Sequence, residues 1–140
     1  MVWFLPVSAV GVLVAAVVGF VLGWVWYSPM LFGKQWMKAA GVSEKQHAAS
    51  MKTGMARGIA TGFITALVMS FVLAQMVVAT SASSVVDGAV IGLLASVGFV
   101  LTTLAGGVTR EGKPASLFYI NAGHSLVTMA VMGAILALWA

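Results

Sequence analysis

RGIATGFITALVMSFVLAQMVVA, residues 57–79, carries one cation at its first position and no other charge. Crossing the hydrocarbon core of a bilayer takes about 20 predominantly apolar residues in helical form, because backbone amides left unbonded there are too costly. This stretch meets that requirement. Working outward from it, residues 6–27, 85–108 and 115–139 read the same way. The pattern predicts an all-α membrane protein: a bundle of four transmembrane helices in one domain over residues 1–140.

The charges orient those spans. All seven cationic side chains lie in two of the three connections. Lys34, Lys38, Lys45, Lys52 and Arg57 fall between the first and second spans, and Arg110 and Lys113 between the third and fourth. The connection at residues 80–86 has none. Basic flanks resist translocation and stay cytoplasmic, so both chain ends are expected on the non-cytoplasmic side. Anionic lipid headgroups are the expected partners of the cations. The opening MVWFLPVSAVGVLVAAVVGF lacks the basic start of a secretory signal and reads as a retained first span.

Composition narrows the function classes. At 61% apolar and 7% charged residues, the chain has too little polar surface to cover a water-soluble globule. No polar domain is left to carry a nucleic-acid groove, so no nucleic-acid partner is expected. With no cysteine there is no disulfide framework, thiolate catalysis or iron–sulfur cluster.

Local signals set the boundaries. Pro6 suits a first helical turn. Trp24, Trp26 and Tyr27 close the first span as an interfacial aromatic belt, and Ser28-Pro29 ends it. Ser84 is the expected N-cap of the third span, with Asp87 near its positive end. The cytoplasmic segment, residues 28–56, is not slack. Leu31, Phe32, Trp36, Met37 and Ala40 oppose Lys34, Gln35 and Lys38 on a helical wheel, which predicts an interfacial amphipathic helix stopped by Gly41. Ser43-Glu44-Lys45-Gln46 then reads as a capping box opening a helix that continues into the second span.

Lipid offers no hydrophobic drive for association, so helices there meet through small residues and close approach. Four-residue spacings supply them at Gly11, Ala15, Gly19 and Gly23, at Gly54, Gly58 and Gly62, at Gly88, Gly92 and Ser96, and at Ala130 and Ala134 beside Gly133. These stripes pack the bundle. They also exceed what four helices need, which points to a homo-oligomer or a larger membrane complex.

The most polar stretch within a span is on the fourth, where Asn121, His124, Ser125 and Thr128 share one face. Ionisable groups at this depth are expensive and often functional. One reading is a ligand, proton or ion contact. The other is structural: His124 and Asn121 bond to Thr61, Thr65, Thr102 or Thr103 across helices. Gln75 reads as an interhelical hydrogen bond. No carboxylate lies mid-span, as a proton-coupled exporter of the small multidrug resistance kind needs. No catalytic triad, metal box or phosphate loop is present, so no enzyme, cofactor or metal is expected.

Two motifs carry a resemblance. Trp26-Tyr27-Ser28-Pro29 is followed by Leu31-Phe32-Gly33-Lys34 and Trp36, and later Ile120-Asn121-Ala122-Gly123 by Met132-Gly133-Ala134-Ile135-Leu136. In their order and spacing the chain resembles the small bacterial membrane proteins grouped as domain of unknown function 1761, over essentially its whole length. The resemblance implies a four-span bundle of the bacterial cytoplasmic (inner) membrane and brings no established activity. It singles out Asn121 and the Trp26-to-Lys34 motif. That family often has an aromatic residue where this chain has His124, so it implies no role for the histidine.

Three function classes remain. The first is a small integral membrane protein acting through helix–helix contacts, as a homo-oligomer or accessory subunit of a membrane complex. The alternative is an oligomeric channel or facilitator for a small ion or solute using the polar face of the fourth helix. The third is a lipid- or cofactor-binding or enzymatic protein using the cationic face or His124.

Overall fold

The computed structural model describes residues 4–140, and all of their regular structure is helical. Four helices are long and apolar enough to cross a membrane: Ala9–Trp26, Glu44–Ala79, Val85–Thr109 and Ala115–Leu138.

Helix α1 (Ala9–Trp26) begins later than the spacing predicts. Pro6 lies before it, not in its first turn, because Ser8 is extended and its hydroxyl accepts from the Gly11 N–H at 3.1 Å. The preceding strand of chain is pinned by Gln75, whose amide accepts from the Leu5 N–H at 2.7 Å and donates to the Leu5 carbonyl at 3.0 Å. Gln75, half-buried, therefore bonds backbone of the segment before α1.

Helix α2 (Gly33–Ala40) starts after Leu31 and Phe32 and stops at Gly41, whose φ of 74° is the left-handed cap glycine favours. Helix α3 (Glu44–Ala79) opens on the capping box, with both reciprocal bonds between Ser43 and Gln46 formed. Its 36 residues make a rod of about 54 Å, well beyond an apolar core of about 30 Å. Ser84 caps the third long helix by accepting from the Asp87 N–H at 3.0 Å.

That third helix is not uniform. Helix α4 (Val85–Ala95) passes into a π-helical segment, Ser96–Leu101, before α5 (Thr102–Thr109) resumes normal winding. Hydropathy carries no trace of it. Ser96 is fully buried and shares a 2.7 Å hydrogen bond with Ser125, while Thr102 and Thr103 donate to the Gly98 and Phe99 carbonyls within the widened turns. Such widened turns are rare and often mark functional places.

Helix α6 (Ala115–Leu138) is the centre of the assembly. Half of its most apolar window is buried, against 22% for each of the other three. It packs on α1, α3, α4 and α5 and on the π segment. Leu73, Val77 and Met132 are the largest fully buried apolar side chains, joined by Ala15, Ala74 and Leu136. Ser70 adds a bond to the Val12 carbonyl at 2.7 Å, tying α3 to α1.

The glycine stripes divide sharply. A methyl on Gly88 would strike the Gly133 carbonyl, and one on Gly92 the Met129 carbonyl, so α4 and α6 touch backbone to backbone. Gly11 and Gly19 of α1 lie under Trp139 and Met132, and Gly62 lies under Phe20. Gly54 and Gly58 have nothing within 4 Å. The α4–α6 contact leads to a direct expectation. Gly92→Ala should destabilise the protein in mild detergent by about 1–3 kcal/mol, because the clash is with backbone that cannot swing aside. Gly106→Ala, with nothing within 4 Å, should not. Equal unfolding midpoints for both variants would contradict the close approach.

Candidate functional site

The chain leaving α1 folds back on itself. The Phe32 N–H donates to the Trp26 carbonyl at 3.0 Å, and the Leu31 and Gly33 N–H groups to the Ser28 carbonyl at 3.1 and 2.9 Å. The Ser28 hydroxyl bonds the Val25 carbonyl at 2.7 Å. Gly33 is required here: a side chain would run into the Tyr27 carbonyl and the Ser28 backbone. The loop stacks Trp26 against Phe32 at 4.7 Å and sets Trp36 edge-on to Tyr27 at 6.3 Å. Trp36 and Met37 thus turn inward, while Lys34, Gln35 and Lys38 are exposed. The apolar side of α2 faces the protein's own surface.

This loop closes on the start of α6. The Trp26 indole N–H donates to the Ile120 carbonyl at 3.0 Å, and the Tyr27 hydroxyl donates to Asn121 Oδ1 at 2.7 Å. Gly123 makes room: a methyl there would stand 2.9 Å from the Trp26 ring. Both bonds join residues 94 apart in sequence. They place the end of α1 beside the start of α6, so the two cationic connections lie at the same end of the molecule.

The predicted polar face of α6 does not act as one site. Asn121, His124, Ser125 and Thr128 span an arc of about 100°, and on a central helix that arc meets different neighbours. Asn121 bonds Tyr27. Ser125 faces the π segment, bonding Ser96 and approaching Met129 Sδ at 3.4 Å. His124 and Thr128 turn instead toward α1 and α3, where they line a cavity of about 240 Å³ with Gly19, Phe20, Gly62 and Met69. His124 lies 5.1 Å from Tyr27 and 6.2 Å from Trp26, ring centre to ring centre.

The expected threonine partners do not reach the histidine. Thr102 and Thr103 donate to their own helix, as does Thr65 to the Gly62 carbonyl at 2.9 Å. His124 Nε2 and Thr128 Oγ1 are buried with no partner. Among the packing glycines, Gly23 faces His124 at 3.2 Å from a built methyl. Pro29 and Ser28 border a separate groove with Gly54 and Gly58. Sequence spacing shows Ser96 only as one more small residue and Gly123 only as part of a motif; their contacts with Ser125 and Trp26 come from packing. Among the described residues, no three histidine or carboxylate groups come together as a metal would require.

Residues 10–137 match the family described as protein of unknown function DUF1761. The chain belongs to that family. No curated protein and no solved structure matches it. In this DUF1761 chain the two resemblance motifs are one object in space: the loop from Trp26 to Trp36 is bonded and packed onto Ile120, Asn121 and Gly123.

Proposed function

We propose that this DUF1761 protein crosses the bacterial cytoplasmic membrane four times, both ends outside, and acts by binding another membrane-protein chain. That chain is a copy of itself or a larger complex that it serves as an accessory subunit, with no reaction catalysed. One observation carries the association. Along residues 48–59 of α3, Met51, Met55 and Ile59 are exposed at 38%, 45% and 40%, and Gly54 and Gly58 stand open beside them. The other long helices press their glycine stripes into a neighbour. The part of this length before Arg57 also lies outside the span read from the sequence, where lipid tails would not cover it. An unsupported helix of this size is marginal in water, and an open groove edged by methionine and glycine suits a close-packed partner.

The sidedness rests on the cations. Both connections that hold them lie at one end, where Lys34, Lys38, Lys45, Lys52, Arg57, Arg110 and Lys113 would meet anionic headgroups on the cytoplasmic surface. Passage of a solute along α6 is the second reading, favoured by the unpartnered His124 and Thr128. It loses two of its four groups, because Asn121 and Ser125 are already bonded within the chain. Flux through proteoliposomes is what that reading requires and association does not.

A photocrosslinking amino acid at Met55, activated in native membranes, should yield an adduct containing a second protein chain, and Gly58→Leu should remove it. Adducts to lipid alone would overturn the association. A reporter enzyme fused to the carboxy terminus should be active only outside the cytoplasm; cytosolic activity would reverse the orientation.

A further inference from the structure

The cavity between α1, α3 and α6 is apolar apart from Thr65, whose hydroxyl is taken up by the Gly62 carbonyl, and one corner. Phe20, Met69 and Met132 line it, with Ala66, Gly19 and Gly62 between them. The corner is formed by His124 and Thr128, one turn apart on α6, a rise of about 6 Å. Thr128 is 5% exposed, and its hydroxyl has no hydrogen-bond partner. That is unusual within this chain. Thr53, Thr102, Thr103 and Thr109 all donate to a carbonyl one turn back on their own helix. Nε2 of His124 is likewise buried and unpartnered. Buried polar atoms are seldom left unsatisfied, and here two stand at one corner of the same cavity.

We propose that this cavity binds a small, neutral, lipid-soluble molecule that carries one hydroxyl or carbonyl oxygen on an apolar body of ring size. The oxygen pairs with Thr128 Oγ1, at the corner of the cavity that His124 shares. The body fills the space toward Phe20 and Met69. No charged side chain lines the cavity, so an ionic ligand would be buried without a counter-charge. Water alone is a poor occupant. The volume would hold about eight molecules at liquid density, yet the two polar groups serve about one. The outer faces of α1 and α3 expose Val17, Val21 and Ile64, so the ligand enters sideways from the hydrocarbon. This inference stands independently of the association proposed above.

Fluorine NMR on the whole protein in deuterated micelles tests it, with 4-fluorophenol as hydroxyl probe, 4-fluoroacetophenone as carbonyl probe and fluorobenzene as apolar control. At least one oxygen-bearing probe should bind more tightly than fluorobenzene and above its partition into empty micelles. Thr128→Val should weaken that binding about tenfold, and Thr128→Ser should retain it. Ala66→Leu, which fills the cavity, should abolish it while circular dichroism stays unchanged. The two probes separate alcohols from carbonyl compounds. No binding above micelles, or equal binding of fluorobenzene with no effect of Thr128→Val, would overturn the proposal.

Discussion

Two hydrogen bonds between the end of α1 and the start of α6 hold the rest in place. The Trp26 indole on the Ile120 carbonyl and the Tyr27 hydroxyl on Asn121 act where aromatic side chains can present an apolar body and a polar tip. They close the first helix onto the last. They also set the platform on which α2 lies and bring two aromatic rings against His124. On its other side His124 lines the cavity between α1 and α3.

The remaining contacts follow from how helices cohere without a hydrophobic drive between them. Backbone meets backbone at Gly88, Gly92 and Gly133, which draws α4 against α6 closely enough for Ser96 to reach Ser125. The π segment begins at that serine. Against this economy the open face of α3 stands apart, and so does the unpartnered corner at His124 and Thr128.

Much of this was legible in the sequence, for reasons particular residues make plain. The four helices long and apolar enough to cross a membrane followed from uninterrupted apolar length, and the capping box at Ser43 and Gln46, the Ser84 cap and the Gly41 stop followed from local backbone chemistry that neighbours rarely overrule. The two motifs were legible as text, but their contact was not, since nothing in spacing says that residues 94 apart will bond. The polar face of α6 was read as one site because a helical wheel shows angles and not neighbours. Which helix stands opposite Ser125 or His124 is settled by tertiary packing. The π segment left no mark at all: SVGFVL is as apolar as its surroundings. Pro6 misled because Ser8, two residues later, is the stronger cap.

The clamp between Tyr27 and Asn121 is most directly tested by a double-mutant cycle. Unfolding free energies in mild detergent would be measured for the parent, Tyr27→Phe, Asn121→Ala and the pair. The account predicts a coupling of about 0.5–1.5 kcal/mol, the range of hydrogen bonds between helices in membranes. Losses that simply add, within about 0.3 kcal/mol, would mean that the two side chains do not hold each other and that the loop is fixed to α6 by something else.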